Sequence, residues 1–244
     1  MTADSIAYGR RARIGVLLPS GNIAAEAELR AILPCDVGMH VTRLPLKGSS
    51  SEELLGMTEG VEHAAALLAD AQPALIVFHC TAVSTWNPAM DGSLSQRIGA
   101  STGIRATTTA QGIVNALQVL RAKKVVLVTP YVEAINEREV RFLSHFGVEV
   151  LAVRALGLSH PQDMYAVEPD RWLDLAVTAK HEDAHAYFIS CTAIRTLPVI
   201  AQLETILARP VITSNQVMAW HALRQCGIGD SVADAGQLFF MQPA

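Results

Sequence analysis

Two of the four cysteines in this 244-residue chain stand in matching surroundings. Cys80 ends the run Ile76-Val-Phe-His-Cys80 and is followed by Thr81-Ala82, and Cys191 ends Tyr187-Phe-Ile-Ser-Cys191 and is followed by Thr192-Ala193. A lone cysteine after an apolar strand is by default a packing residue, because free cysteine is among the most buried residue types. A matched pair can do more. One thiolate and one thiol on opposite faces of a carbon acid can remove a proton and return it from the other side. Alternatively, a thiolate adds to an activated double bond, the resulting single bond rotates, and the thiolate leaves. Both routes place negative charge on a substrate carboxylate and need neither metal nor cofactor. They do need donors, and the strand-end N–H groups with Ser20, Thr81, Thr192 and Tyr131 could supply them. The small side chains of Ala82 and Ala193 leave room beside each sulfur. Backbone N–H groups at a helix start are expected to pull each thiol from about 8.5 toward neutrality.

The elements that must hold the pair are legible as alternating short apolar runs and longer amphipathic stretches. Ile14–Leu18, Ala74–His79, Val125–Thr129, Val148–Val153, Ala186–Ser190 and Val211–Thr213 read as strands. Ala24–Arg30, Val61–Ala69, Ala110–Arg121, Glu133–Phe146, Arg171–Ala179 and Pro198–Ala208 read as helices. Such alternation predicts an α/β fold with parallel sheets and crossover helices on both faces. An internal repeat refines it. Ile14–Pro19 matches Val125–Pro130 at an offset of 111 residues, the same offset that separates Cys80 from Cys191. A third pair, Thr108-Thr-Ala-Gln111 and Thr213-Ser-Asn-Gln216, follows at an offset of 105. The expectation is two similar open parallel-sheet half-domains related by a pseudo-two-fold axis, with the active site in the cleft between them. The first half covers 1–115 and the second 116–216, with 217–244 packing back on the first. Ligand groups in open α/β sheets gather at the carboxyl ends of strands. Both Cys-Thr-Ala segments, Pro19-Ser-Gly-Asn22 and Pro130-Tyr131 all sit there.

Bulk properties narrow the alternatives. The net charge is −4 and the 19 Lys and Arg are scattered, which is no footprint for nucleic acid. No apolar run approaches membrane-spanning length and Met1–Ala12 has no signal-peptide pattern, so a cytoplasmic protein is expected. No cysteine lies in a CxxC pair, and Cys35 and Cys226, which have no counterpart in the other half, are expected to pack. His181-Glu-Asp-Ala-His185 matches HExxH, but the strand that follows leaves no room for a helix to present both imidazoles to a metal. His79 neighbours Cys80, yet strand alternation points it to the other face. Trp220 and His221 read as core or rim. Arg195 could meet a carboxylate or form a surface ion pair.

From Arg13 to about Gly227 the chain resembles the aspartate/glutamate racemase superfamily, and within it the maleate isomerase and arylmalonate decarboxylase branch. Pro19-Ser20-Gly21-Asn22 is similar to the isomerases' Pro-Ser-Ser-Asn loop, which implies a substrate-binding role for Asn22. Tyr131 matches a tyrosine that holds a substrate carboxylate, and Cys80 and Cys191 match the two catalytic cysteines. The decarboxylases have glycine where this chain has Cys80, and Gly-Gly in place of Thr192-Ala193. The resemblance implies a cofactor-independent isomerase or racemase of a small carboxylate or dicarboxylate, assembled as a homodimer. A decarboxylase using Cys191 as proton donor is the alternative, and a non-catalytic carboxylate binder a third.

Overall fold

A computed structural model describes residues 8–242; residues 1–7, the greater part of the stretch read for a signal peptide, lie outside it. In chain order the first half contains β1 (Ala12–Pro19), α1 (Ala24–Ile32), β2 (Val37–Leu44), α2 (Ser51–Gly56), α3 (Val61–Ala69), β3 (Leu75–Phe78), α4 (Thr81–Ser84), α5 (Pro88–Thr102), β4 (Ala106–Thr108) and α6 (Thr109–Val119). The second contains β5 (Lys124–Tyr131), α7 (Glu133–His145), β6 (Glu149–Leu158), α8 (Pro161–Ala166), α9 (Pro169–Thr178), β7 (Ala186–Ile189), α10 (Ile200–Leu207), β8 (Val211–Thr213) and α11 (Ser214–Gln225). Two four-stranded parallel sheets result, ordered β2-β1-β3-β4 and β6-β5-β7-β8. The second order is the first repeated, which is the repeat seen in the sequence written as topology.

β3 and β7 are buried at every residue, because a parallel sheet covered on both faces has no solvent side. The edge strand β2, Val37-Gly-Met-His-Val-Thr-Arg-Leu44, is only partly buried, and its polar residues gave no apolar run to read. β4, three residues long, and α5 were equally silent in the sequence. Side chains of the two sheets segregate by strand alternation. Leu17, Ile76 and Phe78 pack with α3 and α5 residues in one cluster, whereas Val16, Val77 and Phe188 join the other. That second cluster also takes Ile113 and Leu117 of α6 and Trp220 and Leu223 of α11.

α11 is buried from Ser214 to Arg224. It lies against α1, α6 and β3 of the first half as well as β8 of its own. Trp220 and His221 are therefore core residues. Arg224 is tolerable there because its guanidinium donates to the carbonyls of Ile228, Asp230, Phe239 and Met241. The expected boundary at 115/116 falls inside α6; the chain passes between the halves after that helix, through the turn before Lys124. The third repeat pair is a capping motif used twice. Thr108 Oγ1 accepts from the Gln111 N–H at the start of α6, and Thr213 Oγ1 from the Gln216 N–H at the start of α11. Among the described residues, no helix is long and apolar enough to cross a membrane.

Candidate active site

The carboxyl ends of β1, β3, β5 and β7 converge on one small cavity between the halves. Cys80, Ala82 and Asn22 line it from the first half, and Tyr131, Cys191, Thr192 and Ala193 from the second. The two sulfurs are held differently. Cys80 has extended backbone angles and precedes the short helix α4, whose Ala82 and Val83 N–H groups point at its sulfur. Cys191 sits at φ +136°, a value that a residue with a side chain rarely adopts. Its conformation is fixed from three sides: its N–H donates to Ser214 Oγ at 3.0 Å, the preceding Ser190 donates to Glu139 Oε1 at 2.6 Å, and the Ala193 N–H reaches its sulfur at 3.2 Å. The Tyr131 hydroxyl donates to the same sulfur.

Burial pushes both thiols up to about 12, against the N–H and hydroxyl donors that favour the thiolate. The expected drop toward neutrality is thus reversed: the donors are present, but desolvation of a thiolate outweighs them. Burial thus favours the neutral thiol at both cysteines at pH 7.

Asn22 uses both ends of its amide. Oδ1 accepts the Ala25 N–H in the first turn of α1, and Nδ2 donates to Thr192 Oγ1 across the cleft, each at 2.9 Å. Thr192 Oγ1 thereby faces the cavity beside Cys191. Thr81 and Ser20 do not line it. The Thr81 hydroxyl turns away to Ser214 Oγ at 2.8 Å. Ser20 is exposed, and its Oγ accepts from the Leu46 N–H and donates to the Leu46 carbonyl. Ser20 holds the loop after β2, and the polar groups that do line the cavity include Asn22, Thr192 and Tyr131.

Several residues at the site carried no readable signal. Leu46, Gly48, Ser49 and Leu54 come from the loop after β2 and from α2; Ser159, Pro161 and Met164 come from the equivalent region after β6. The loops meet where Ser49 Oγ donates to the Ser159 carbonyl at 2.8 Å. Gly21 lets them approach, since a Cβ there would lie 3.1 Å from the Leu46 carbonyl oxygen and 3.3 Å from Pro161 Cγ. Ser214 was visible as part of a repeat without a role. It accepts from both Thr81 and the Cys191 N–H, joining the two cysteine turns.

The remaining candidates fall outside the cavity. His79 is fully buried behind Cys80, with Nδ1 on Thr109 Oγ1 and Nε2 on Asn215 Oδ1, and burial lowers its pKa to about 4. It is a neutral structural imidazole. Arg195 pairs with Glu168 at 2.9 Å and packs over the Tyr165 ring. His181 and His185 lie in the turn before β7, and the described residues contain no cluster able to hold a metal. Cys226 is half-buried, but Cys35 is exposed in the turn between α1 and β2, which corrects its expected packing role.

Known proteins are similar to this chain over almost its whole length. The chain is 27% identical to a maleate isomerase of Nocardia farcinica over 238 residues, covering 93% of this chain and 94% of the relative. It is also 27% identical to an arylmalonate decarboxylase of Bordetella bronchiseptica over 230 residues, covering 93% and 95%. The solved maleate isomerase Iso of Pseudomonas putida S16 superposes with a TM-score of 0.88 at 25% identity, covering 93% of this chain and 98% of that one. The family model for arylmalonate decarboxylase matches residues 14–239, and the chain belongs to that family.

Proposed function

We propose that the protein is a cofactor-independent isomerase or racemase of a small carboxylate or dicarboxylate, with Cys80 and Cys191 as the reacting pair. The observation that carries this reading is the placing of both thiols in one cavity whose other polar side chains, among them Asn22, Thr192 and Tyr131, are uncharged. Uncharged donors suit a carboxylate that gains charge as an enediolate in a water-poor site. The pair works with one proton between its two sulfurs. In cis–trans isomerisation the sulfur of one cysteine bonds to one alkene carbon while the other alkene carbon takes the proton of the second thiol. Rotation follows, the second sulfur recovers the proton, and the first sulfur leaves. In racemisation one sulfur removes the α-proton and the other delivers its own from the opposite face. Relatives named for maleate isomerisation support the first route.

The test is turnover of maleate, followed by ultraviolet absorbance, together with solvent deuterium exchange into 2-substituted carboxylates. Cys80→Ser and Cys191→Ser should each lower kcat by about 10³-fold or more, while circular dichroism and ligand binding persist. Near-normal rates in either variant would remove the paired mechanism. A lyase reading is favoured by one feature, the apolar wall of Leu46, Leu54, Pro161 and Met164. It predicts carbon dioxide release from a substituted malonate, retained in Cys80→Gly.

A further inference from the structure

Glu139 of α7 is fully buried, and its carboxyl is only half satisfied. Oε1 accepts the Ser190 hydroxyl at 2.6 Å, and Oε2 has no partner. Glu28 of α1 stands 111 residues earlier, the offset of the two cysteines, so the two glutamates are equivalent positions of the repeat. Glu28 is treated in the opposite way. Its carboxylate accepts from the Thr196 and Leu197 N–H groups, the Thr196 hydroxyl and Asn215 Nδ2. Four donors satisfy both of its oxygens and tie the first half to the segment beyond Cys191. The same position in the second half keeps a carboxyl with one donor, directly behind the residue that precedes Cys191. A buried acceptor without a partner is costly.

We propose that Glu139 is a positioning residue for Cys191: acting at short range and through Ser190, it opposes a thiolate there and holds the proton on that sulfur. The groups that titrate around Cys191 are Glu139 from α7, Tyr131 from β5 and Cys80 across the cleft. Tyr131 and the Ala193 N–H favour a Cys191 thiolate, and Glu139 opposes it. Arg154 of the neighbouring β6 is exposed, with its guanidinium on the Val153 carbonyl. Glu139 itself is raised to about 7 by burial, so its charge, and its bias on Cys191, appear above neutrality. Cys80 has no such carboxylate behind it, since the preceding residue is the neutral His79.

The role proposed for Glu139 rests on the paired-cysteine reading only for its catalytic meaning; the differential protonation is measurable without substrate. The experiment is the pH dependence of iodoacetamide labelling at each cysteine, resolved by peptide mass spectrometry, in wild type, Glu139→Gln and Ser190→Ala. In Glu139→Gln, Cys191 should label about fivefold or more faster than in wild type at pH 8.5. The two proteins should match at pH 5.5, where Glu139 is protonated, and Cys80 should stay within about twofold throughout. Ser190→Ala should show a smaller change of the same sign. Equal acceleration at both cysteines, or a difference that persists at pH 5.5, would mean general loosening and overturn the proposal; so would an unchanged Cys191. If labelling behaves as expected while both cysteine-to-serine variants turn over normally, the paired mechanism fails and the electrostatic role of Glu139 stands.

Discussion

Asn22 joins two tasks in one amide, and its two ends can be separated by mutation. Asn22→Asp keeps the acceptor for the Ala25 N–H but replaces the donor to Thr192 with a buried carboxylate facing the cavity. Like charge against an incoming carboxylate should raise KM about tenfold or more while the thermal midpoint changes little, as steady-state kinetics and a melt would show. Asn22→Ala loses both contacts and should cost about 1–2 kcal/mol in urea unfolding. Cys80 and Cys191 were legible at this scale because a repeat marked them. Their protonation was not: the N–H donors are a local feature, but the burial that drives both thiols to about 12 belongs to the assembled cleft. Thr81 and Ser20 misled for a related reason, since a sequence shows a hydroxyl without showing where it points.

Elements position the site through two close approaches, each at a glycine. At Gly112, on α6, a Cβ would lie 3.2 Å from Val217 Cγ1 and 3.4 Å from His221 Cβ of α11. Replacing Gly112 by Ala gains about 1 kcal/mol of helix propensity. It also forces apart a helix pair that cannot yield, because α11 is buried on every side; overpacking of this kind costs about 1–3 kcal/mol. The net expectation is a loss of up to about 2 kcal/mol and a fall of up to a few degrees in Tm by calorimetry. At Gly21 the neighbours are the loops over the cavity, so Gly21→Ala should leave Tm nearly unchanged and lower kcat/KM severalfold. Most strands and helices were readable from apolar runs and amphipathic stretches. β2 was not, as an edge strand keeps polar residues on its open side, and β4 was too short to form a run.

Across the whole molecule, the buried polar groups set the response to pH. His79 and His221 are both lowered to about 4 by burial. Each is protonated more readily in the unfolded chain, so its contribution to stability shrinks as pH falls from about 6.5 to about 4. Glu139, raised to about 7, has the opposite sign. The folded state binds the extra proton, and stability from this group is lost as pH rises from about 4.5 to about 7. Glu139→Gln removes that loss. Whatever its constant offset, its stability relative to wild type should climb by about 3 kcal/mol between pH 4.5 and 7.5, measured by urea unfolding at a series of pH values. A flat difference would mean that Glu139 does not titrate in that window.

The sequence by itself determined the α/β class, the twofold repetition and the two cysteines that the repetition matches, because each is written in local runs whose order survives folding. It also marked Asn22 and Tyr131 as occupants of strand ends. Tertiary structure decided which strand-end groups reach the cavity, sending Asn22 and Thr192 inward and Thr81 and Ser20 elsewhere. It decided, through burial, that both thiols favour the neutral form. It also broke the symmetry of the repeat, giving Glu28 four donors and Glu139 one. Apart from Ser20 on Leu46, these outcomes depend on contacts between residues more than fifty positions apart, such as Glu28 with Asn215 and Ser190 with Glu139. Such contacts fix burial and hydrogen bonding, and burial is what sets a buried group's charge.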